Sequence, residues 1–311
     1  MEIGKKIKRL RIERGFTQVQ IKPQHITQSR YSKFEKGETS LSFEDIYEVL
    51  TNLQVTMQEF EFFLEPEEFG PIKYRKKLFA YFADPENPEN IAVVTQMYQE
   101  LQEKRSKGDI HPTELMVLFD LKLVCHKIVD QIEEMQEDDL YLIKEMILSR
   151  QYHSYYDLKL LSNHIAHFDK KDIETFVKCI FPIPDVATRE ADTKTIISYF
   201  FINIVTKFCY LQEWEDVKYY IKQGHEYCTF GPNYYLKTTL KYYEYLSDYF
   251  LTKDFNYLHK ATNILSCMLE IGDDKAYKAL SDEFNFLMKQ EGIDLPTPNH
   301  YGGIVLATTS S

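Results

Sequence analysis

Gly15-Phe16-Thr17-Gln18-Val19-Gln20-Ile21-Lys22-Pro23, continued by Thr27-Gln28-Ser29-Arg30-Tyr31-Ser32-Lys33-Phe34-Glu35-Lys36-Gly37, reads as two short helices around a tight turn. Thr17 supplies the side-chain oxygen that an N-cap needs, and Pro23 lacks the amide that would continue the helix, so one helix covers 18–22. Thr27 repeats the cap and Gly37 the stop, which bounds a second helix over 28–36. On that helix Tyr31 and Phe34 are three apart and face inward. Gln28, Ser29, Arg30, Ser32 and Lys33 are left facing outward.

Outward from this pair, Ile3, Ile7 and Leu10 mark a basic amphipathic helix that Gly15 ends, with Phe16 just beyond. Ser42 caps a fourth helix over 43–53, with Phe43, Ile46, Val49, Leu50 and Leu53 on one face. Thr56 caps a fifth, whose core candidates are Met57, Phe60 and Phe63. The spacing therefore predicts a five-helix domain over 1–65.

Charge separates this head from the rest. The chain of 311 residues carries a net −11. Residues 1–36 hold ten Lys and Arg against Glu2, Glu13 and Glu35, a balance of +7, which leaves −18 on the other 275. An acidic body repels nucleic acid, whereas a compact basic end attracts phosphates. Polar and basic side chains at the start of the third helix suit insertion into the major groove of duplex DNA. Gln can bond adenine through two hydrogen bonds, and Arg or Lys can bond guanine. Gln28, Ser29, Arg30, Ser32 and Lys33 are the expected base-reading set. Gln18, at the start of helix two, is expected at a phosphate. A small helical docking module with merely solvated polar residues is the alternative, and it leaves the charge segregation without a reason.

The run Gly15-Phe16-Thr17-Gln18, then Gln28 through Phe34-Glu35-Lys36-Gly37-Glu38, resembles the helix-turn-helix of the Cro/C1-repressor (XRE) class. The continuation through Ser42-Phe43 and Leu53-Gln54-Val55-Thr56-Met57 to Phe60 is similar, more narrowly, to the Rgg family of Gram-positive regulators. One departure is Val19-Gln20-Ile21-Lys22-Pro23, where the class carries an Ala and Leu packing pair. It implies a shortened or loosely packed second helix.

After Leu64, Glu65-Pro66-Glu67-Glu68-Phe69-Gly70-Pro71 has the breakers and charge of a linker, placed at 66–72. Residues 73–291 then read as helix after helix. Breaks fall at Asp84-Pro85-Glu86-Asn87-Pro88, Lys107-Gly108-Asp109, Pro182-Ile183-Pro184, Gly231-Pro232 and Gly272-Asp273-Asp274. The fold class is all-α: Gly and Pro number eleven each, against 23 Tyr and 21 Phe. Cys209-Tyr210-Leu211-Gln212-Glu213-Trp214 aligns with Phe250-Leu251-Thr252-Lys253-Asp254-Phe255 at an offset of 41. That is the joint of a TPR-like helical-hairpin repeat, an α-solenoid whose concave surface suits an extended peptide. The Rgg resemblance implies the same: a repeat domain that binds a short pheromone peptide.

Within 195–210 nearly every residue is apolar except Tyr199, Asn203 and Lys207, which are four apart and form one stripe. An Asn in such a helix can satisfy an extended peptide backbone, and Lys207 could hold a carboxylate. Asn163 is a similar case on an earlier helix, and Tyr242 is the candidate from the Tyr242, Tyr243, Tyr245 band. The competing reading is that Asn163 and Asn203 bond neighbouring helix ends and that each Tyr is core.

Catalysis finds no support. His164 and His167 have no third ligand placed by sequence, and the pairs Asp138-Asp139 and Glu133-Glu134 read as solvated faces. No glycine-rich phosphate loop is present, and no metal or cofactor is expected. The cysteines (Cys125, Cys179, Cys209, Cys228, Cys267) lie far apart, as buried reduced thiols of a cytoplasmic protein would. No stretch is long and apolar enough for a membrane span. The expected partners are double-stranded promoter DNA, a short hydrophobic signalling peptide of basic or neutral character and a second copy of the chain. RNA polymerase is a further candidate. A repressor whose body only dimerises or binds a protein partner is the second reading, and an antitoxin-like scaffold the third. The tail 292–311 ends in the uncharged stretch Ile304-Val305-Leu306-Ala307. It reads as a frayed or appended tail, or else as a self-ligand for the groove.

Overall fold

The computed structural model describes residues 3–64, 70–227 and 234–293, all helical apart from short connections. The linker residues 65–69, the Gly231-Pro232 break, Cys228 and the tail from 294 onward lie outside the described residues.

The head forms five helices where the caps place them. α1 (Ile3–Glu13) ends before Gly15, whose φ of 73° is the left-handed stop. α2 is Gln18–Ile21, a single turn, as the Val19-to-Pro23 departure implies; Gln20 Oε1 accepts the Thr17 amide at 2.8 Å. α3 (Gln28–Glu35), α4 (Phe43–Asn52) and α5 (Met57–Phe63) follow Thr27, Ser42 and Thr56, each accepting a backbone amide of the first turn. Ile7, Leu10, Ile21, Tyr31, Phe34, Val49, Leu50, Leu53 and Phe60 make the core. At roughly 1.5–3 kcal/mol for each large apolar side chain, this core outweighs the weak propensity of the short helices. Gly4 is required where α1 crosses α3: a Cβ there would lie 1.8 Å from the Phe34 carbonyl oxygen.

Three expected core positions fall outside. Phe43 is 68 % exposed, because the stripe Ile46-Val49-Leu50-Leu53 meets the core and its extension one turn earlier runs past the core's edge. Met57 and Phe63 are exposed because α5 seats Phe60 and Leu64, four apart, instead. Val19 is exposed as well, so one-turn α2 anchors through Ile21 alone.

α6 (Gly70–Ala83) begins inside the expected linker, so 70–72 are helical. With α7 (Pro88–Ser106) and α8 (Pro112–Cys125) it closes a second core around Tyr74, Tyr81, Met97, Leu101, Leu118 and Leu121. By contacts the described residues gather into two compact units, one up to Glu134 and one from Met135 onward.

The second unit is a run of helical hairpins: α9 (Glu137–Leu148), α10 (Tyr155–His164), α11 (Lys170–Ile180), α12 (Ala191–Tyr210), α13 (Trp214–Tyr227), α14 (Tyr234–Thr252), α15 (Phe255–Glu270) and α16 (Asp274–Gln290). α12 packs on α10, α13 and α14, and α14 continues to α15 and α15 to α16. The 41-residue offset is structural. Gln212 and Lys253 both take left-handed φ, 59° and 58°, where α12 and α14 end. Trp214 then opens α13 and stacks on Phe250 at 3.9 Å, while Phe255 opens α15 against Tyr249 at 5.6 Å. Two of the thiols expected to be buried, Cys179 and Cys267, are exposed; Cys125 and Cys209 are buried.

Candidate functional site

Two places in the chain gather the residues singled out by sequence. The first is the outward face of α2 and α3. Glu35, at the last position of α3, is 1 % exposed and is held by Arg11, whose Nε and Nη2 donate to its two carboxylate oxygens at 2.6 and 2.9 Å. A two-bond guanidinium–carboxylate fork fixes orientation as well as distance. The pair raises the Arg11 guanidinium above its ordinary range, chiefly through the Glu35 hydrogen bond. Gln18 Nε2 donates to Glu35 Oε2 at 2.7 Å, and Gln28 Nε2 donates to Gln18 Oε1 at 2.7 Å. The buried ion pair thus sets Gln18, and Gln18 sets Gln28. Among the described residues Gln28 keeps its Oε1 and one amide hydrogen, the acceptor and donor that an adenine edge requires.

Ser29, Arg30 and Lys33 are exposed on the same helix and Ser32 is half-buried. Arg30 and Lys33 make no ion pair among the described residues. Gln18 is therefore a positioning residue as well as a phosphate candidate. Sequence reading missed Arg11 and Glu35, although Glu35 lies four residues after inward-facing Tyr31 and so carried a signal. Arg30→Ala should cost roughly 1–3 kcal/mol at one base position if Arg30 reads guanine, seen as relaxed specificity in a competition assay; a phosphate contact would instead lower the salt slope by about one.

The second place is a cleft of about 780 Å³ in the unit 135–311. Ser162 and Asn163 come from the end of α10, Ile165 and Ala166 from a 3-10 turn (Ile165–His167), and Asp169 and Lys170 from the start of α11. The far wall is α12 with its joint: Asn203, Thr206, Lys207, Phe208, Tyr210, Leu211 and Glu213. Asn163, Asn203 and Lys207 thus line one cleft. Asn203 Nδ2 donates to the Ser162 carbonyl at 2.9 Å, and Lys207 Nζ donates to the Ala166 carbonyl at 3.0 Å and to that of Phe168. Both side chains satisfy the carbonyls left over where the α10 segment ends. Burial pushes the Lys207 ammonium down, against the pull of Asp169 and Glu213.

The two tyrosines are placed elsewhere. Tyr242 is 0 % exposed and donates to the Leu280 carbonyl at 3.2 Å, so it is core, and the cleft does not include it. Tyr242 and Tyr243 face inward because α12, α13 and α15 pack on α14, whereas Tyr245 is half-buried under Lys241 and Lys260. Tyr199 is partly exposed one turn beyond the cleft, with its ring 6.5 Å from that of Tyr235. Thr206, missed by sequence, lines the cleft three residues after Asn203, on the same helix face.

His164 is buried, and burial drives its imidazole down to about 4, with His167 adding to the effect. Among the described residues no three His, Cys, Asp or Glu side chains gather to hold a metal ion, and no helix is long and apolar enough to cross a membrane.

The family described as "HTH-type transcriptional regulator Rgg, C-terminal domain" matches residues 76–282, and a helix-turn-helix family matches residues 7–60. No curated protein matches the chain. Among solved structures, the SHP pheromone receptor Rgg2 of Streptococcus dysgalactiae is 18% identical, with a TM-score of 0.71 over 91% of this chain and 99% of that one. A putative transcriptional regulator from Listeria monocytogenes EGD-e is 13% identical, with a TM-score of 0.74 over 94% of this chain and 99% of that one. A PrgX/iCF10 complex is 18% identical, with a TM-score of 0.72 over 95% of this chain and 99% of that one. At these identities the likeness establishes the fold.

Proposed function

Since the chain belongs to the Rgg family of helix-turn-helix transcriptional regulators, we propose that its second unit is the receptor for a short signalling peptide and that occupancy of the α10–α12 cleft changes how the head engages promoter DNA. The observation that carries this reading is the cleft itself. Asn163, Asn203 and Thr206 place backbone-matching polar groups beside Ile165, Phe208 and Leu211 in one cavity. An extended apolar peptide needs that combination: hydrogen bonds for its amides and cover for its side chains. The charged lining, Asp169, Lys170, Lys207 and Glu213, balances to zero, which favours an uncharged ligand.

The solved relative described as the SHP pheromone receptor Rgg2 has this fold. The protein acts as a homodimer in this reading, because one head of this size reads a half-site and a two-fold operator needs paired heads. It works beside the chromosome in the cytoplasm, and RNA polymerase is the partner through which activation would pass. A second reading is favoured by the bonds that Asn203 and Lys207 already make to Ser162, Ala166 and Phe168. In it these side chains only seal a helix end and the body serves dimerisation.

One experiment separates the two. Short uncharged apolar peptides titrated against a labelled promoter complex should shift the complex saturably. Asn203→Ala should abolish the shift while peptide-free DNA affinity stays within about twofold, a change of under ~0.5 kcal/mol. An unaltered response in the variant, or no response to any peptide in the wild type, supports the second reading.

A further inference from the structure

Behind the cleft wall lies a row of polar groups that the peptide reading leaves unused. Thr206, which lines the cleft, has its Oγ1 2.7 Å from Tyr243 Oη, and Tyr243 Oη lies 3.2 Å from Glu283 Oε2. The three residues come from α12, α14 and α16, so the row runs from the cleft to the last helix. Glu283 is 5 % exposed, and its second oxygen, Oε1, is buried with no hydrogen-bond partner among the described residues.

A phenol has one proton to give, and this fact sets the sense of the whole row. With Glu283 ionised, Tyr243 donates to the carboxylate, Thr206 donates to Tyr243, and Thr206 offers the cleft only acceptor lone pairs. With Glu283 protonated, the acid can donate to Tyr243 Oη, Tyr243 turns its proton to Thr206 Oγ1, and the Thr206 hydroxyl proton is released toward the cleft. We propose that Thr206 is a reversible hydrogen-bonding position of the cleft, an acceptor or a donor according to the protonation of Glu283 relayed through Tyr243. The proposal deepens the peptide reading, on which its biological use rests: the cleft would match a peptide carbonyl in one state and a peptide amide in the other. By linkage, whichever group a ligand presents there shifts the proton affinity of Glu283 in return.

The surroundings permit the switch. Burial lifts the Glu283 carboxyl to about 7, although the Tyr243 hydrogen bond pulls it down. The titratable groups facing it are Cys209 and Tyr210 from α12 and Tyr242 and Tyr243 from α14. Each of these is raised by burial first and stays protonated as Glu283 titrates. α15 turns Leu258, Ala261, Thr262, Leu265 and Met268 inward, none of which titrates. No cation pairs with Glu283 among the described residues.

The test needs no peptide. Methyl-labelled threonine and carboxyl-labelled glutamate in the full chain report the two ends of the row by NMR. The Thr206 methyl is expected to titrate with the same midpoint as the Glu283 carboxyl. Tyr243→Phe, which keeps the ring and removes the relay, should leave Glu283 titrating and the Thr206 methyl still. Glu283→Gln should silence both. N,N-dimethylacetamide, an amide that only accepts, should perturb the Thr206 methyl at several-fold lower concentration at pH 5.5 than at pH 8.5. A Thr206 methyl that is silent in the wild type, one that titrates unchanged in Tyr243→Phe, or equal amide response at both pH values would overturn the proposal. None of these outcomes depends on whether a signalling peptide exists.

Discussion

Glu35→Ala is expected to cost the head about 3–5 kcal/mol, the effect of removing one partner from a buried ion pair. The carboxylate is the hub of the α1–α2–α3 contact: it takes two bonds from Arg11 and one from Gln18. Its loss leaves the Arg11 guanidinium, among the described residues, with only the Phe16 carbonyl, at 2.9 Å, in a largely buried place. A domain of some sixty residues holds roughly 3–9 kcal/mol in all, so most of the head's stability would go. Hydrogen exchange on the full chain should show the amides of α1 to α5 losing protection while those of α9 to α16 keep theirs. Promoter affinity should fall with it, because Gln18 and Gln28 lose the anchor that orients them. Glu35→Gln, which can still accept from Gln18, should cost less. A loss below about 1 kcal/mol for Glu35→Ala would show that the pair only breaks even against its own desolvation.

The second large effect belongs to Glu283. Its carboxyl is raised from the ordinary range to about 7 by burial. An acid whose folded-state pKa is raised has its stability fully present below the unfolded value and loses it as pH rises through the folded one. The window is therefore about pH 4.5 to 7.5, and the loss on the order of 3 kcal/mol. Glu283→Gln carries no such charge. Its thermal midpoint should gain on the wild type steadily from pH 5 to pH 8, with the largest difference at the alkaline end. Parallel curves for the two proteins would mean that the carboxylate is accommodated in the fold without penalty.

How much of this was legible differs by region. The head was readable because its signals are local. Thr17, Thr27, Ser42 and Thr56 each stand at the N-cap position of the helix they precede, and Gly15 and Gly37 both take positive φ. The 41-residue repeat was readable because an aromatic on each side of a left-handed turn is a short-range pattern. The ends of α8 and α9 were not readable. Cys125 to Gln136 and Ser149 to Ser154 hold no Gly or Pro. The marks there are instead the starts of the next helices, where Gln136 and Ser154 open capping boxes with Asp139 and Asp157, and such polar pairs also occur on ordinary solvated faces.

The candidate sites divide in the same way. The outward set on α3 followed from the inward pair Tyr31 and Phe34. Asn203 and Lys207 followed from their spacing on an apolar helix, and the structure places Asn163 in the same cleft. Tyr242 was misplaced because a dense tyrosine band has no face of its own until its neighbours are known. Glu283 was overlooked for the opposite reason: Leu280 and Leu287 put it on a buried stripe, but its charge reads as solvated.

The central claim is that filling the α10–α12 cleft changes how the head holds DNA. Hydrogen exchange on the full chain bound to promoter DNA, with and without a peptide that alters the complex, tests it most directly. Added protection confined to 162–170 and 203–213, together with changed exchange in 18–35, is the predicted result. Unchanged exchange over 162–170 and 203–213 in the presence of such a peptide would contradict it.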